Sequence, residues 1–260
     1  MFSTSQRFFT LLLFLAGMLS ASCSEKPVAE YQIEIVQTFP HDTTSYTQGL
    51  FFHQGKLCES TGMHGESTFR QDIDLASGIA KKKLSFDKRY FVEGSVVLGD
   101  ELFILTWNEK RAFVYDAQTL NFKRRHRYPR EGWGLTTNGK ELIASDGSSR
   151  LYFMDTKFEV KRSIDVTLEG KKVQWLNELE WIDGKIWANI YTSDLIVIIE
   201  PSNGKVVGKI NAHKLLPSSQ RSPRTDVLNG IAYDGKHIYL TGKYWPSLFE
   251  IKLIKADSKR

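Results

Sequence analysis

A chain of 260 residues can bury a large core, and with two cysteines it has no disulfide framework to lean on. Its formal net charge of +5 gathers in short clusters, Lys81-Lys82-Lys83 and Lys123-Arg124-Arg125-His126-Arg127. These sit on strand-like segments and read as charge that protects outer sheet edges. No basic helix or aromatic-interleaved basic stripe accompanies them, so nucleic acid is excluded as a partner.

In chain order, the first element is a targeting segment. Arg7 precedes an apolar run from Phe8 to Leu19, too short to span a bilayer, and small residues follow. Leu19-Ser20-Ala21-Ser22-Cys23 resembles the lipobox of bacterial lipoproteins. The expectation is a signal peptide over 1–22, an acylated Cys23, a linker over 23–30 and one domain over 31–256. That domain is exported from a bacterial cell, periplasmic or anchored to the outer membrane by its lipid alone, and is expected to be a monomer. Cys58 is then a lone thiol, which behaves as a small buried hydrophobe.

Beyond residue 30 helical periodicity is almost absent. Short β-branched and aromatic runs alternate with turn residues. Tyr31–Val36 alternates like a strand but has no unit of its own. Five units follow, each with a turn between a small-residue strand and a more apolar one. The turns are Gln54-Gly55, Gly99-Asp100, Asn138-Gly139, Asp183-Gly184 and Asp234-Gly235. Asn-Gly and Asp-Gly mark tight hairpins, whose central residues need positive φ.

Upstream of each turn lies a matching station, Gln48, Glu93, Trp133, Asn177 or Asn229, at successive spacings of 45, 40, 44 and 52 residues. A four-stranded unit of roughly that length is the period of a propeller blade. The last unit runs out after its third strand, Leu248–Leu253. The predicted fold is therefore an all-β, five-bladed β-propeller whose last blade is closed by the N-terminal strand.

In such a ring the five stations converge near the axis. The ends of the second strands converge on a neighbouring shell that includes Trp107, Asp146, Tyr191, Lys243 and Trp245. A glycine follows four of the five stations, as crowded backbone requires; Glu178 breaks the pattern. A carboxylate, amides, a lysine and tryptophans gathered at one place make a small polar-ligand pocket with aromatic walls. Trp175, Trp181 and Trp187 read as packing aromatics and Asp146 as a turn residue.

The ordered set Tyr46-Thr47-Gln48-Gly49-Leu50, Glu59-Ser60-Thr61-Gly62, Phe91-Val92-Glu93-Gly94, Leu105-Thr106-Trp107, Glu131-Gly132-Trp133-Gly134-Leu135, Ser145-Asp146-Gly147, Leu176-Asn177-Glu178-Leu179-Glu180, Leu228-Asn229-Gly230-Ile231-Ala232 and Thr241-Gly242-Lys243-Tyr244-Trp245-Pro246 spans nearly the whole domain. It resembles the plant and bacterial type of glutaminyl cyclase, also called glutamine cyclotransferase. The resemblance implies a five-bladed propeller that converts N-terminal glutamine of peptides and proteins to pyroglutamate with release of ammonia, without catalytic zinc. One departure stands out: the family commonly has Ala-Asn-Val-Trp where this chain has Ala188-Asn189-Ile190-Tyr191.

The reaction is an intramolecular acyl transfer that needs positioning, proton transfer and charge stabilisation, but no protein nucleophile. Glu93, matching the family's essential glutamate, is expected to shuttle the proton, with its pKa raised by a half-apolar site. Lys243 and Asn177 are candidate donors to the amide oxygen. Gln48 and Asn229 are expected to orient the amide, and Trp107, Trp133, Tyr191 and Trp245 to wall the pocket. Glu178 could instead pair with Lys243 and leave the lysine structural. No cofactor and no metal ligand set are expected, although an axial structural cation is compatible. Two other readings stand beside this one, a calcium-dependent lactonase-type hydrolase and a non-catalytic propeller that binds peptides or glycans.

Overall fold

A computed structural model describes residues 27–256. The expected signal peptide and Cys23 lie outside these residues. The chain runs through β1 (Ala29–Pro40), β2 (Thr47–His53), β3 (Lys56–Thr61), β4 (Thr68–Ile73), β5 (Ala80–Ser85), β6 (Val92–Leu98), β7 (Glu101–Thr106), β8 (Arg111–Asp116), β9 (Phe122–Arg127), β10 (Leu135–Thr137) and β11 (Leu142–Ala144). It continues through β12 (Arg150–Met154), β13 (Val160–Asp165), β14 (Thr167–Leu168), β15 (Lys171–Lys172), β16 (Leu176–Ile182), β17 (Lys185–Ile190), β18 (Leu195–Ile199), β19 (Val206–Asn211), β20 (Leu228–Tyr233), β21 (Ile238–Gly242) and β22 (Ser247–Lys255). The only helix among the described residues is a 3-10 turn at Ser218–Gln220. The fold is all-β.

Strands β2 to β5, β6 to β9 and β10 to β13 make three four-stranded sheets in sequence order, and β14 and β15 form a small hairpin. The largest sheet has eight strands in the order β16-β17-β18-β19-β1-β22-β21-β20. Strand β1 pairs antiparallel with β22 from Tyr31↔Lys255 to Pro40↔Ser247. Its first three residues also pair in parallel with β19, Ala29↔Gly208 to Tyr31↔Ile210. The N-terminal strand thus completes the strand set that begins at β20 and covers an otherwise open edge.

The first strands of the successive units touch in cyclic order, β2 to β6 to β10 to β16 to β20 and back to β2. Their approach is close enough to require glycine. A Cβ on Gly134 would collide with the Asn177 carbonyl oxygen, and one on Gly94 with the backbone nitrogen of Leu135. Apolar clusters fill the wedges between neighbouring sheets. Phe103, Leu105 and Val114 interlock with Leu135, Leu142 and Met154, and Phe51, Cys58 and Phe69 with Val92, Leu102 and Ile104. Cys58 is fully buried and burial pushes its thiol up to about 12, so it packs as an inert hydrophobe.

The expected tight turns differ in detail. Both central residues have positive φ at Gln54-Gly55 and Asp183-Gly184. At Asn138-Gly139 and Asp234-Gly235 only the glycine does. There the connections are longer, and the Asn138 and Asp234 side chains accept backbone N–H groups two and three residues on. The side chain closes these turns and removes the need for a second left-handed residue.

Candidate active site

Four of the five stations occupy the second position of a first strand: Gln48 in β2, Glu93 in β6, Asn177 in β16 and Asn229 in β20. At each of these places the pairing register slips, between Thr47 and Gly49, Val92 and Ser95, Leu176 and Leu179, and Leu228 and Ile231. A bulge re-aims the side chain it carries. Trp133 lies two residues before β10, and Trp107, Tyr191 and Lys243 directly follow β7, β17 and β21.

These residues meet at one end of the first strands. A pocket of about 210 Å³ is lined by Tyr46, Gln48, Phe91, Glu93, Trp107, Trp133, Asn177, Tyr191 and Lys243. Tyr46 and Phe91 were not singled out from the sequence. A signal was present: each stands two residues before its station, and alternate strand residues share a face.

Glu93 is almost fully buried and accepts a hydrogen bond from Gln48 Nε2 at 3.1 Å. Gln48 Oε1 in turn accepts from Asn229 Nδ2 at 3.3 Å, and the same Nδ2 donates to the Thr47 carbonyl at 2.8 Å. Asn229 therefore stands behind the pocket wall and holds Gln48, which holds Glu93. Burial drives the Glu93 carboxyl well above the usual range; Lys243 opposes the shift, while Glu109 and Glu131 add to it. Lys243 is 3 % exposed and burial pushes it down to about 8, with Glu93 and Asp226 pulling the other way. Its Nζ lies 4.3 Å from the Tyr46 ring centroid and 5.1 Å from that of Tyr191.

The aromatic wall is continuous. Trp133 meets Tyr191 edge-on at 5.6 Å, and Phe91 meets Trp107 at 5.5 Å. Behind it, Glu131 Oε2 accepts both indole N–H groups, from Trp107 at 2.9 Å and Trp133 at 3.2 Å. Trp175, read from sequence as a packing aromatic, is instead 56 % exposed and lies 6.2 Å from Trp133. Asp146 is a turn residue, accepting from Ser148 and from the Tyr152 hydroxyl.

One expectation and one alternative reading are not met. Trp245 does not wall the pocket: it is 1 % exposed, packs on Phe249 in the apolar core and donates its indole N–H to the Asp226 carbonyl. The left-handed backbone at Tyr244 (φ 60°) turns the chain there, so it is Tyr244 that faces Tyr46, at 5.1 Å. Glu178 is not the partner of Lys243. Its two oxygens accept the backbone N–H groups of Leu50 at 3.3 Å and Ile231 at 2.9 Å, which ties β16 to β2 and β20.

The arrangement places a carboxyl raised by burial beside a buried amine in an aromatic-walled pocket, where it can both accept and return a proton. Among the described residues, no group of three or more His, Cys, Asp or Glu comes together in a way that could hold a metal ion.

Comparison with known proteins points to one family. The family described as glutamine cyclotransferase matches residues 9–253. The glutaminyl-peptide cyclotransferase of Arabidopsis thaliana is 41 % identical over 237 residues, which is 88 % of this chain and 73 % of that protein. The crystal structure of Myxococcus xanthus glutaminyl cyclase is similar at a TM-score of 0.81 and 36 % identity, covering 89 % of this chain and 100 % of that one.

Proposed function

The chain belongs to the glutamine cyclotransferase family, and we propose that it is a glutaminyl-peptide cyclotransferase that cyclises N-terminal glutamine in the pocket of Glu93 and Lys243. The observation that carries the reading is a single one: a buried carboxyl, pinned by Gln48, faces a buried lysine inside an aromatic wall.

The α-amino nitrogen attacks the side-chain amide carbon. A C–N bond forms, the bond to the amide nitrogen breaks, and ammonia leaves. The α-amine of a peptide has a pKa of about 8, so much of the substrate arrives as ammonium. Glu93, as the carboxylate, takes that proton and passes it to the departing nitrogen. It then takes the second proton that the attacking nitrogen sheds as the lactam forms and gives it to the ammonia, which leaves as ammonium, so the protein ends in the protonation state in which it began. Lys243 and Asn177 stabilise the charge that grows on the amide oxygen. Gln48 fixes the carboxyl of Glu93 rather than the substrate. Trp107, Trp133 and Tyr191 hold the glutamine in near-attack geometry and keep out water, which would hydrolyse the amide.

The reaction so written draws on no cofactor.

We also infer that the sheets form five blades about one axis. The eight-stranded sheet would then be two four-stranded units, β16 to β19 and β20 to β22 with β1, joined where β1 meets β19. The cyclic contacts of β2, β6, β10, β16 and β20 support this arrangement.

The test is mass spectrometry of a glutamine-initiated peptide incubated with the purified protein. The expected product has lost one ammonia. Glu93→Gln, folded as judged by circular dichroism, should lose roughly 10²–10⁴-fold in turnover, the usual contribution of a positioned proton carrier. Near-native turnover in that variant would sink the assignment, and release of free glutamate in place of pyroglutamate would make the protein an amidase.

A further inference from the structure

We propose that Glu131 is a positioning residue for the cyclisation, its carboxylate tying the Trp107 and Trp133 indoles together and adding a fixed negative charge near Glu93. The proposal rests on the cyclotransferase reading for its kinetic part and on hydrogen-bond geometry for the rest.

One oxygen, Glu131 Oε2, accepts from both indoles, at 2.9 Å and 3.2 Å. The two rings come from different units: Trp107 follows β7, whereas Glu131 and Trp133 lie on the segment that enters β10. The carboxylate therefore sets the relation of two wall residues across a boundary between sheets. An indole has one donor and no acceptor, so a single well-placed oxygen fixes its rotation. An anionic acceptor makes the stronger bond and can serve two donors at once.

The same segment is held in place by Gly132, whose backbone N–H donates to the Thr106 carbonyl at 3.1 Å. A Cβ there would meet that oxygen at 2.6 Å.

Its charge reaches the reaction through Glu93. The groups that bear on Glu93 are Gln48 and Tyr46 from the β2 side, Lys243 after β21, Glu109 after β7, and Glu131 before β10. Glu109 is itself partnered, to His64 Nε2 at 2.9 Å and to the Phe91 backbone N–H at 3.3 Å. Among the described residues, Glu131 accepts from the two indoles and stands in no ion pair. It adds to the burial that raises Glu93 and so makes its carboxylate, the form that takes the substrate's proton, a stronger base whose loss by protonation sets an acid limb.

Two variants separate the two effects. Glu131→Gln keeps an oxygen acceptor for the indoles but removes the charge; Glu131→Ala removes both. With one peptide used throughout, so that the substrate amine titrates identically, Glu131→Gln should keep KM near the wild-type value. It should also move the acid limb of the kcat/KM profile to lower pH. Glu131→Ala should move the limb likewise and raise KM roughly tenfold or more, the scale set by a lost charged hydrogen bond.

A residue that merely braces the loop would leave the limb where it is, and that result, or an unchanged KM in Glu131→Ala, overturns the proposal. A readout independent of activity is the set of indole ¹⁵N–¹H resonances, assigned with Trp107→Phe and Trp133→Phe. In Glu131→Gln the signals of Trp107 and Trp133 should shift together while those of the other four tryptophans stay in place. Unmoved signals refute the clamp even if Glu131→Ala does not fold. Wild-type protein that makes no pyroglutamate but shows both shifts would refute the function and spare the clamp.

Discussion

At the scale of single residues the site works by opposed shifts. Burial raises the proton affinity of Glu93 above that of an ordinary carboxylate, and it loosens the proton of Lys243. The consequence is an alkaline limit. Lys243 is pushed down to about 8, so the cation proposed to face the amide oxygen disappears as pH rises through that value. Turnover at saturating substrate should fall above about pH 8, and Lys243→Arg, cationic throughout, should carry its residual activity to higher pH. A pH profile of kcat for both proteins checks this; an alkaline limb unchanged in Lys243→Arg would mean that another group sets it. Glu93, Lys243 and Asn177 were legible in the sequence because they recur at equivalent stations. Glu131 was not singled out, since an acidic residue beside glycine in a turn-like stretch has nothing local to distinguish it. Trp245 was misread because its neighbour Tyr244 adopts a left-handed backbone that no periodicity rule anticipates.

At the scale of elements, the bulges explain why the first strands carry the chemistry. A regular strand would send alternate side chains strictly to the two sheet faces. The register slips at Gln48, Glu93, Asn177 and Asn229 free the second residue of each strand from that alternation. Gly94 and Gly134 let neighbouring strands approach until a backbone oxygen or nitrogen occupies the place of a Cβ. Gly134 is the sharpest case, because its neighbour is the carbonyl of Asn177. Gly134→Ala should destabilise the protein by about 3 kcal/mol, at the upper end of overpacking costs, and raise KM by displacing Asn177. Thermal denaturation and steady-state kinetics test the two halves. A fully stable variant with unchanged KM would show that this contact yields without consequence. The sequence signalled the glycines; it held no sign of the slips, which arise where one strand must satisfy two neighbours.

For the molecule as a whole, the packing of sheets on one another buries carboxylates between them. Glu178 and Glu180 both accept backbone hydrogen bonds from β20, and Glu180 also accepts from Thr136 in β10. Burial raises both, Glu180 from its ordinary 4.5 to about 8. A carboxyl whose pKa is raised on folding binds its proton more tightly in the folded state. Its contribution is therefore complete below about 4.5 and is lost as pH rises through about 8. Glu59, buried against His41, Arg70 and Thr47, is held lower instead; its contribution is present above its ordinary value and lost on acidification. Glu180→Gln should accordingly flatten the decline of Tm between about pH 5 and pH 8 and leave the acid side unchanged. Melting curves across that range decide it, and an unaltered slope would show that Glu180 is ionised in the folded protein throughout.

The repeat of turn and station, the all-β character and the gathering of Glu93, Lys243, Asn177 and the aromatic residues about a centre were determined by the sequence alone. Periodicity and residue type are local properties, and equivalent stations in a repeating chain must meet when the units close on one another. What only the tertiary structure decided is partnership. Gln48 serves Glu93, Asn229 stands behind Gln48, Glu178 bridges strands instead of pairing with Lys243, and Glu131 joins two tryptophans. A hydrogen bond depends on direction and distance to about half an ångström. Those are set by bulges, a left-handed residue and the packing of sheets far apart in the chain.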